Sequence, residues 1–276
     1  MGTVCSQTSE SHSVVPRRRK RKKLAPALQA RTGVVSLADA GLDAMPPGLL
    51  LMNGAPVRRM VLRGNALKEL GEEFGAKFRE LEVLDVSKNR LQRLPASLFI
   101  ECHRLRQVQA AMNRLTDDGM TWSAGDESPV PSLRWLSLSR NAFTQVPSML
   151  SSLPFQALRF LDLTHNRIES LPKWLGAALP ELEVLLLQHN ALRELDVDAL
   201  AGLTHLRELR VDGNRLERLP PTLFLTLPAL QTFTFSGNAP HLSESPTSAV
   251  RALPGFAAFE QRRADVQNRR LHAGLA

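Results

Sequence analysis

Asparagine recurs along this chain with a regularity that an ordinary compact domain does not require. It stands at Asn65, Asn89, Asn113, Asn141, Asn166, Asn190, Asn214 and Asn238, at intervals of 24, 24, 28, 25, 24, 24 and 24 residues. An apolar frame surrounds each one: residues 81–95 read L-x-x-L-x-L-x-x-N-x-L-x-x-L-P and nearly superimpose on 158–172 and 206–220. A period of this length builds a fold by stacking like units, each too small to bury its own apolar side.

Within each L-x-L, Leu84 and Val86, Leu161 and Leu163, or Leu209 and Val211 point to one side of a short strand and the residues between them to the other. Stacking at about 4.8 Å joins the leucines into one ladder and pairs the backbones as a parallel sheet. Where the chain turns under that ladder, its amides and carbonyls lose both sheet partners and water. The asparagine amide, which carries donors and an acceptor, is expected to satisfy its own turn and the neighbouring one. Leu-Pro then opens an outer segment, where 95–99 and 221–224 predict 3₁₀ or α turns.

The frame resembles the leucine-rich repeat family over roughly three-quarters of the chain. The resemblance implies an α/β solenoid, a horseshoe with a concave parallel sheet, short convex helical segments and a helical carboxy-terminal cap. It also implies a non-enzymatic adaptor, scaffold or regulatory subunit that binds protein. Residues 35–46, with Ala40 where asparagine is expected, form a degenerate first copy, making about nine repeats. The organisation is read as a disordered basic tail over 1–31, the repeat domain over 32–238, and a cap with a basic tail over 239–276.

Two departures from the period are expected to matter. After Asn113 about four residues are gained, and the stretch from Thr116 to Pro129 reads as an exposed acidic loop. After Asn238 the repeat stops. Val250, Leu253, Phe256 and Phe259 then share one helical face, with Arg262, Arg263, Arg269 and Arg270 beyond it, and predict a cap over Phe233 and Phe235.

Counting back from each asparagine locates the concave face. Six residues before it lie Arg59, Val83, Gln107, Trp135, Phe160, Val184, Glu208 and Thr232; four before it lie Val61, Asp85, Gln109, Ser137, Asp162, Leu186, Arg210 and Thr234. Trp135, Phe160, Val184 and Leu186 thus form an apolar patch bordered by Asp162, Glu208 and Arg210. Aromatic residues on adjacent strands of a polar face are candidate anchors for a protein partner, although scattered apolar residues on a surface are also ordinary.

The net charge of +8 belongs to the ends of the chain: the first 31 residues carry +7, the stretch from Arg251 onward +3, and the middle −2. A near-neutral body is a poor phosphate-binding surface, so nucleic acid is expected to contact the tails only. The opening Met1-Gly2-Thr3-Val4-Cys5-Ser6 fits the myristoylation pattern at Gly2, with Cys5 available for palmitate. Arg17, Arg18, Arg19, Lys20, Arg21, Lys22 and Lys23 supply the polybasic second signal that anchoring needs. The expectation is a monomeric cytoplasmic protein held at an anionic membrane surface. The alternative reads the same run as a nuclear-import or nucleic-acid segment, and a solvated disordered tail is the remaining reading.

Enzyme chemistry finds no warrant in the sequence. No phosphate-binding glycine loop, dinucleotide fingerprint or H-E-x-x-H occurs. His165 and His189 precede the asparagine in consecutive repeats and are expected as stacked surface neighbours without the further ligands a metal needs. Cys102, beside His103 in an outer segment, lacks an activating base. No cofactor and no metal are expected. No apolar run approaches the roughly 18 residues of a membrane span, and the basic run has no apolar segment after it, as a secretory signal would.

Overall fold

The computed structural model describes residues 28–29, 33–50, 56–120, 132–152, 155–240, 242 and 248–273. Ten strands form one sheet in chain order: β1 Leu28–Gln29, β2 Val34–Ser36, β3 Arg59–Val61, β4 Val83–Asp85, β5 Gln107–Gln109, β6 Trp135–Ser137, β7 Phe160–Asp162, β8 Val184–Leu186, β9 Glu208–Arg210 and β10 Thr232–Thr234. From β2 to β10 every pairing is parallel and in register, so equivalent residues of successive repeats lie side by side. Short helices return the chain along the outer side: α1 Pro47–Leu50, α2 Phe74–Lys77, α3 Ser97–Ile100, α4 Met149–Ser152, α5 Leu175–Ala178, α6 Val197–Leu200 and α7 Leu223–Thr226. The chain closes with α8 Ser248–Arg251 and α9 Phe256–Ala273. This is the leucine-rich repeat solenoid that the period predicts.

The frame residues do what their spacing requires. In the β4 repeat Leu81, Leu84, Val86 and Leu91 are fully buried, and the same positions are buried in the β7, β8 and β9 repeats. Each such leucine contributes about 1.5–3 kcal/mol through burial. Outer segments pack closely: a Cβ on Gly75 of α2 would lie 1.8 Å from the Ser97 carbonyl oxygen of the next repeat. Beside it, the buried Cys102 thiol donates to the Phe78 carbonyl at 3.3 Å.

The asparagines close the turns as expected. Asn89 donates Nδ2 to the Val86 carbonyl of its own repeat and to the Leu62 carbonyl of the preceding one, both at 3.0 Å, while its Oδ1 accepts from the Leu67 amide at 3.1 Å. The pattern repeats from Asn65 to Asn238. Just before each asparagine the backbone takes a left-handed conformation, with φ between 54 and 73° at Gly64, Lys88, Met112, Arg140, His165, His189, Gly213 and Gly237.

Three expectations need correction. Leu28 and Gln29, placed in the amino-terminal tail, pair antiparallel with Val35 and Val34 and close that end of the sheet. The start of the insertion is built into the fold instead of being loop: Asp118–Met120 is a 3₁₀ turn with Met120 buried, and the Asp117 carboxylate accepts the Thr144 amide at 3.1 Å and its hydroxyl. The cap is two helices, because the chain breaks between Arg251 and Phe256, where Gly255 has φ +82°. Gly2, Cys5, the basic run 17–23 and the acidic residues Asp126 and Glu127 lie outside the described residues. Among the described residues no helix is long and apolar enough to cross a membrane.

Candidate functional site on the concave face

In a three-residue strand the central side chain enters the core and its two neighbours face the hollow. Leu136, Leu161, Leu185 and Leu209 are fully buried, which turns the flanking residues inward to the concave side. Trp135 is 39% exposed there, and its register partner Phe160 is half-buried. Their rings stack with centroids 3.5 Å apart and planes inclined by 7°. Val184 follows Phe160 in register and Leu186 lies two residues on, both half-buried. The four apolar residues singled out in the sequence are therefore contiguous.

The polar residues bordering this patch are tied to one another. Ser137 Oγ donates to Asp162 Oδ2 at 2.9 Å, and the Thr164 amide donates to Asp162 Oδ1 at 3.0 Å. Arg210 Nε donates to Glu208 Oε1 at 2.5 Å within β9. Both carboxylates thus already have hydrogen-bond partners within the face, and the apolar stack is the part of the face that gains most from being covered.

Sequence reasoning placed His165 and His189 side by side but missed the arginines of the two rims. Seven residues before the asparagine stand Arg58, Arg106, Arg134, Arg159 and Arg207, all exposed, with Glu82 and Glu183 interrupting the row and Gln231 ending it. Glu183 pairs with Arg159 at 3.0 Å and Arg207 at 3.5 Å, while Arg106 and Arg134 flank the aromatic stack. The alignment that located the anchors carries these arginines too. Along the opposite rim Arg140 Nη2 lies 3.2 Å from His165 Nε2, and the rings of His165 and His189 stack at 4.3 Å and 18°. A guanidinium only donates, so Nε2 accepts and His165 is held neutral with its proton on Nδ1. Desolvation lowers the His165 pKa, and Arg140 and His189 add to it against Asp162. Faces, not nitrogen lone pairs, meet in this stack, and an arginine abuts it, which is unsuited to holding a cation.

Cys102 is likewise a structural group. Burial, with the nearby Glu101 carboxylate, pushes its thiol up to about 12, so it stays protonated.

Comparison with known proteins agrees with the repeat fold. Leucine-rich repeat family models match residues 156–216 and 132–153. Mouse podocan is 31% identical over 60% of this chain and 25% of its own length. Human podocan-like protein 1 is 36% identical over 67% of this chain and 49% of its own length. The chain thus spans between a quarter and a half of these curated relatives. Among solved structures, human 5T4, also described as Wnt-activated inhibitory factor 1 and trophoblast glycoprotein, superimposes with a TM-score of 0.61 at 26% identity, covering 77% of this chain and 81% of that one.

Proposed function

We propose that the chain is a non-enzymatic protein-interaction module whose concave face binds a protein partner around Trp135 and Phe160. One observation carries the reading: two large rings stack in parallel on neighbouring strands with the indole open to the hollow, where their area serves binding and not the core. Val184 and Leu186 extend the patch; Asp162, Glu208, Arg210 and the rim arginines Arg106 and Arg134 give it a polar border. The leucine-rich repeats of the relatives are consistent with a binding role.

The same proposal places the protein at the cytosolic face of an anionic membrane through acylation of Gly2 and Cys5 and the basic run 17–23. The motif and its polybasic neighbour support this. The alternative compartment, the nucleus, rests on the same basic run.

Proximity labelling of wild type beside Trp135→Ala/Phe160→Ala tests the binding surface. The double variant is expected to lose the most enriched wild-type neighbour while keeping its thermal midpoint within a few degrees; retention of that neighbour removes the concave reading. Labelling with a myristate analogue beside Gly2→Ala tests attachment. Equal incorporation into both, or none into wild type, removes it.

A further inference from the structure

The two ends of the sheet are finished differently. At the amino-terminal end β1 pairs with β2 and occupies its outer edge. At the other end β10 pairs with β9, and among the described residues no strand lies on its far side. Inner rungs show what that edge lacks. The Val211 amide donates to the Thr234 carbonyl at 2.8 Å and the Gly213 amide to the Ser236 carbonyl at 2.7 Å, each reaching forward one repeat. The equivalent amides of the last rung belong to Phe235 and Gly237, which have no following repeat and no backbone acceptor among the described residues.

The cap covers the core beneath this edge but leaves a cleft against it. Phe224 takes the cap rings, with Phe256 at 5.2 Å and Phe259 at 5.0 Å between centroids. Between β10 and α9 remains a space of about 320 Å³ lined by Phe233, Phe235, Phe256, Phe259, Asp212 and Arg263. The Asp212 carboxylate is already engaged, accepting from the Ser236 amide at 2.9 Å, the Ser236 hydroxyl at 2.8 Å and the Thr234 hydroxyl. Arg263 is exposed. Its neighbour Arg262 donates Nε to the Leu230 carbonyl at 2.9 Å, immediately before the chain enters β10, and its Nη2 is buried without an acceptor.

The geometry points to a second binding site: the outer edge of β10 takes an extended, acidic segment of a partner protein as an eleventh strand, its apolar side chains in the aromatic cleft and a carboxylate on Arg263. Unpaired amides in register call for backbone acceptors at strand spacing, which an extended peptide supplies. Aromatic walls select apolar side chains. The net +3 of the chain from Arg251 onward selects acidic ones, and it opposes both a second copy of this end and the chain's own +7 tail.

Panning a phage-displayed library of random linear dodecapeptides on the full chain, then synthesising the enriched sequence, tests the site. Enriched peptides are expected to join Asp or Glu to β-branched or aromatic residues and to slow amide exchange at Phe235 and Gly237. Arg263→Glu is expected to weaken them about tenfold. Methylating alternate peptide amides is expected to abolish binding, and Trp135→Ala/Phe160→Ala to leave it unchanged, which separates this site from the concave face. The assignment falls if no acidic peptide is enriched, if binding is lost in the Trp135 and Phe160 variant, or if the same amides become protected through self-association as protein concentration rises.

Discussion

A single asparagine in this array satisfies groups in two repeats at once. Replacing Asn89 by alanine would leave the Leu67 amide and the Leu62 and Val86 carbonyls without their partner. Buried unsatisfied groups cost about 1–3 kcal/mol each, so Asn89→Ala is expected to lower the unfolding free energy by about 3 kcal/mol or more, measured by urea denaturation. The preceding position behaves oppositely. Met112 is held at φ 58° and is exposed, so Met112→Gly is expected to raise stability by about 1 kcal/mol in the same measurement. His165 adds a pH dependence. Its pKa is lowered by burial, Arg140 and His189, with Asp162 opposing. The unfolded chain therefore takes up the proton first, and stability present above the ordinary value of 6.5 is lost as pH falls below it. The urea midpoint is expected to drop between about pH 7.5 and pH 5, and to drop less in His165→Gln. Asparagine was legible in the sequence because its chemistry is invariant along the period. The left-handed residue before it was not, because Lys88, Met112, Arg140 and His165 share no chemistry; turn closure imposes their conformation.

At the scale of elements, strands were readable wherever L-x-L recurs, and so was the inward direction of Trp135 and Phe160. Two elements escaped. β1 is only two residues long, and its pairing with Val34 and Val35 makes it a strand, so Leu28 and Gln29 carry no pattern of their own. The cap pattern gave the right apolar residues on one imagined helix. Pro254 and Gly255 interrupt it, and the break brings Phe256 and Phe259 onto Phe224. Phe259 is buried in that cluster. Phe259→Ala is expected to cost about 3–5 kcal/mol, and hydrogen exchange should place the loss first in α9 and β10, with the central strands still protected.

On the scale of the whole molecule, in-register pairing makes the array nearly modular. Removing residues 182–205, one 24-residue period from Leu182 to His205, places Leu206 where Leu182 stood and restores every frame position. That shortened chain is expected to keep a cooperative thermal transition by circular dichroism. Deleting only residues 182–193 breaks the frame and is expected to abolish that transition. The number and direction of the rungs were legible before any coordinates, since a period fixes both. The helical finish of the carboxy-terminal end was legible too, but its break into two helices and the antiparallel β1 at the other end were not, because each terminus ends the repetition in its own way.

The asparagine bonds also give the array a direction in time. Each Oδ1 reaches back to an amide two places after the previous asparagine, so a rung is completed only when its successor has been made. A chain emerging from a ribosome would always carry one unfinished turn at its growing tip. The residue awaiting completion after Asn238 is Pro240, and proline has no amide hydrogen to offer. Synthesis thus reaches a turn with no amide for a further asparagine to accept, and the asparagine ladder comes to rest there.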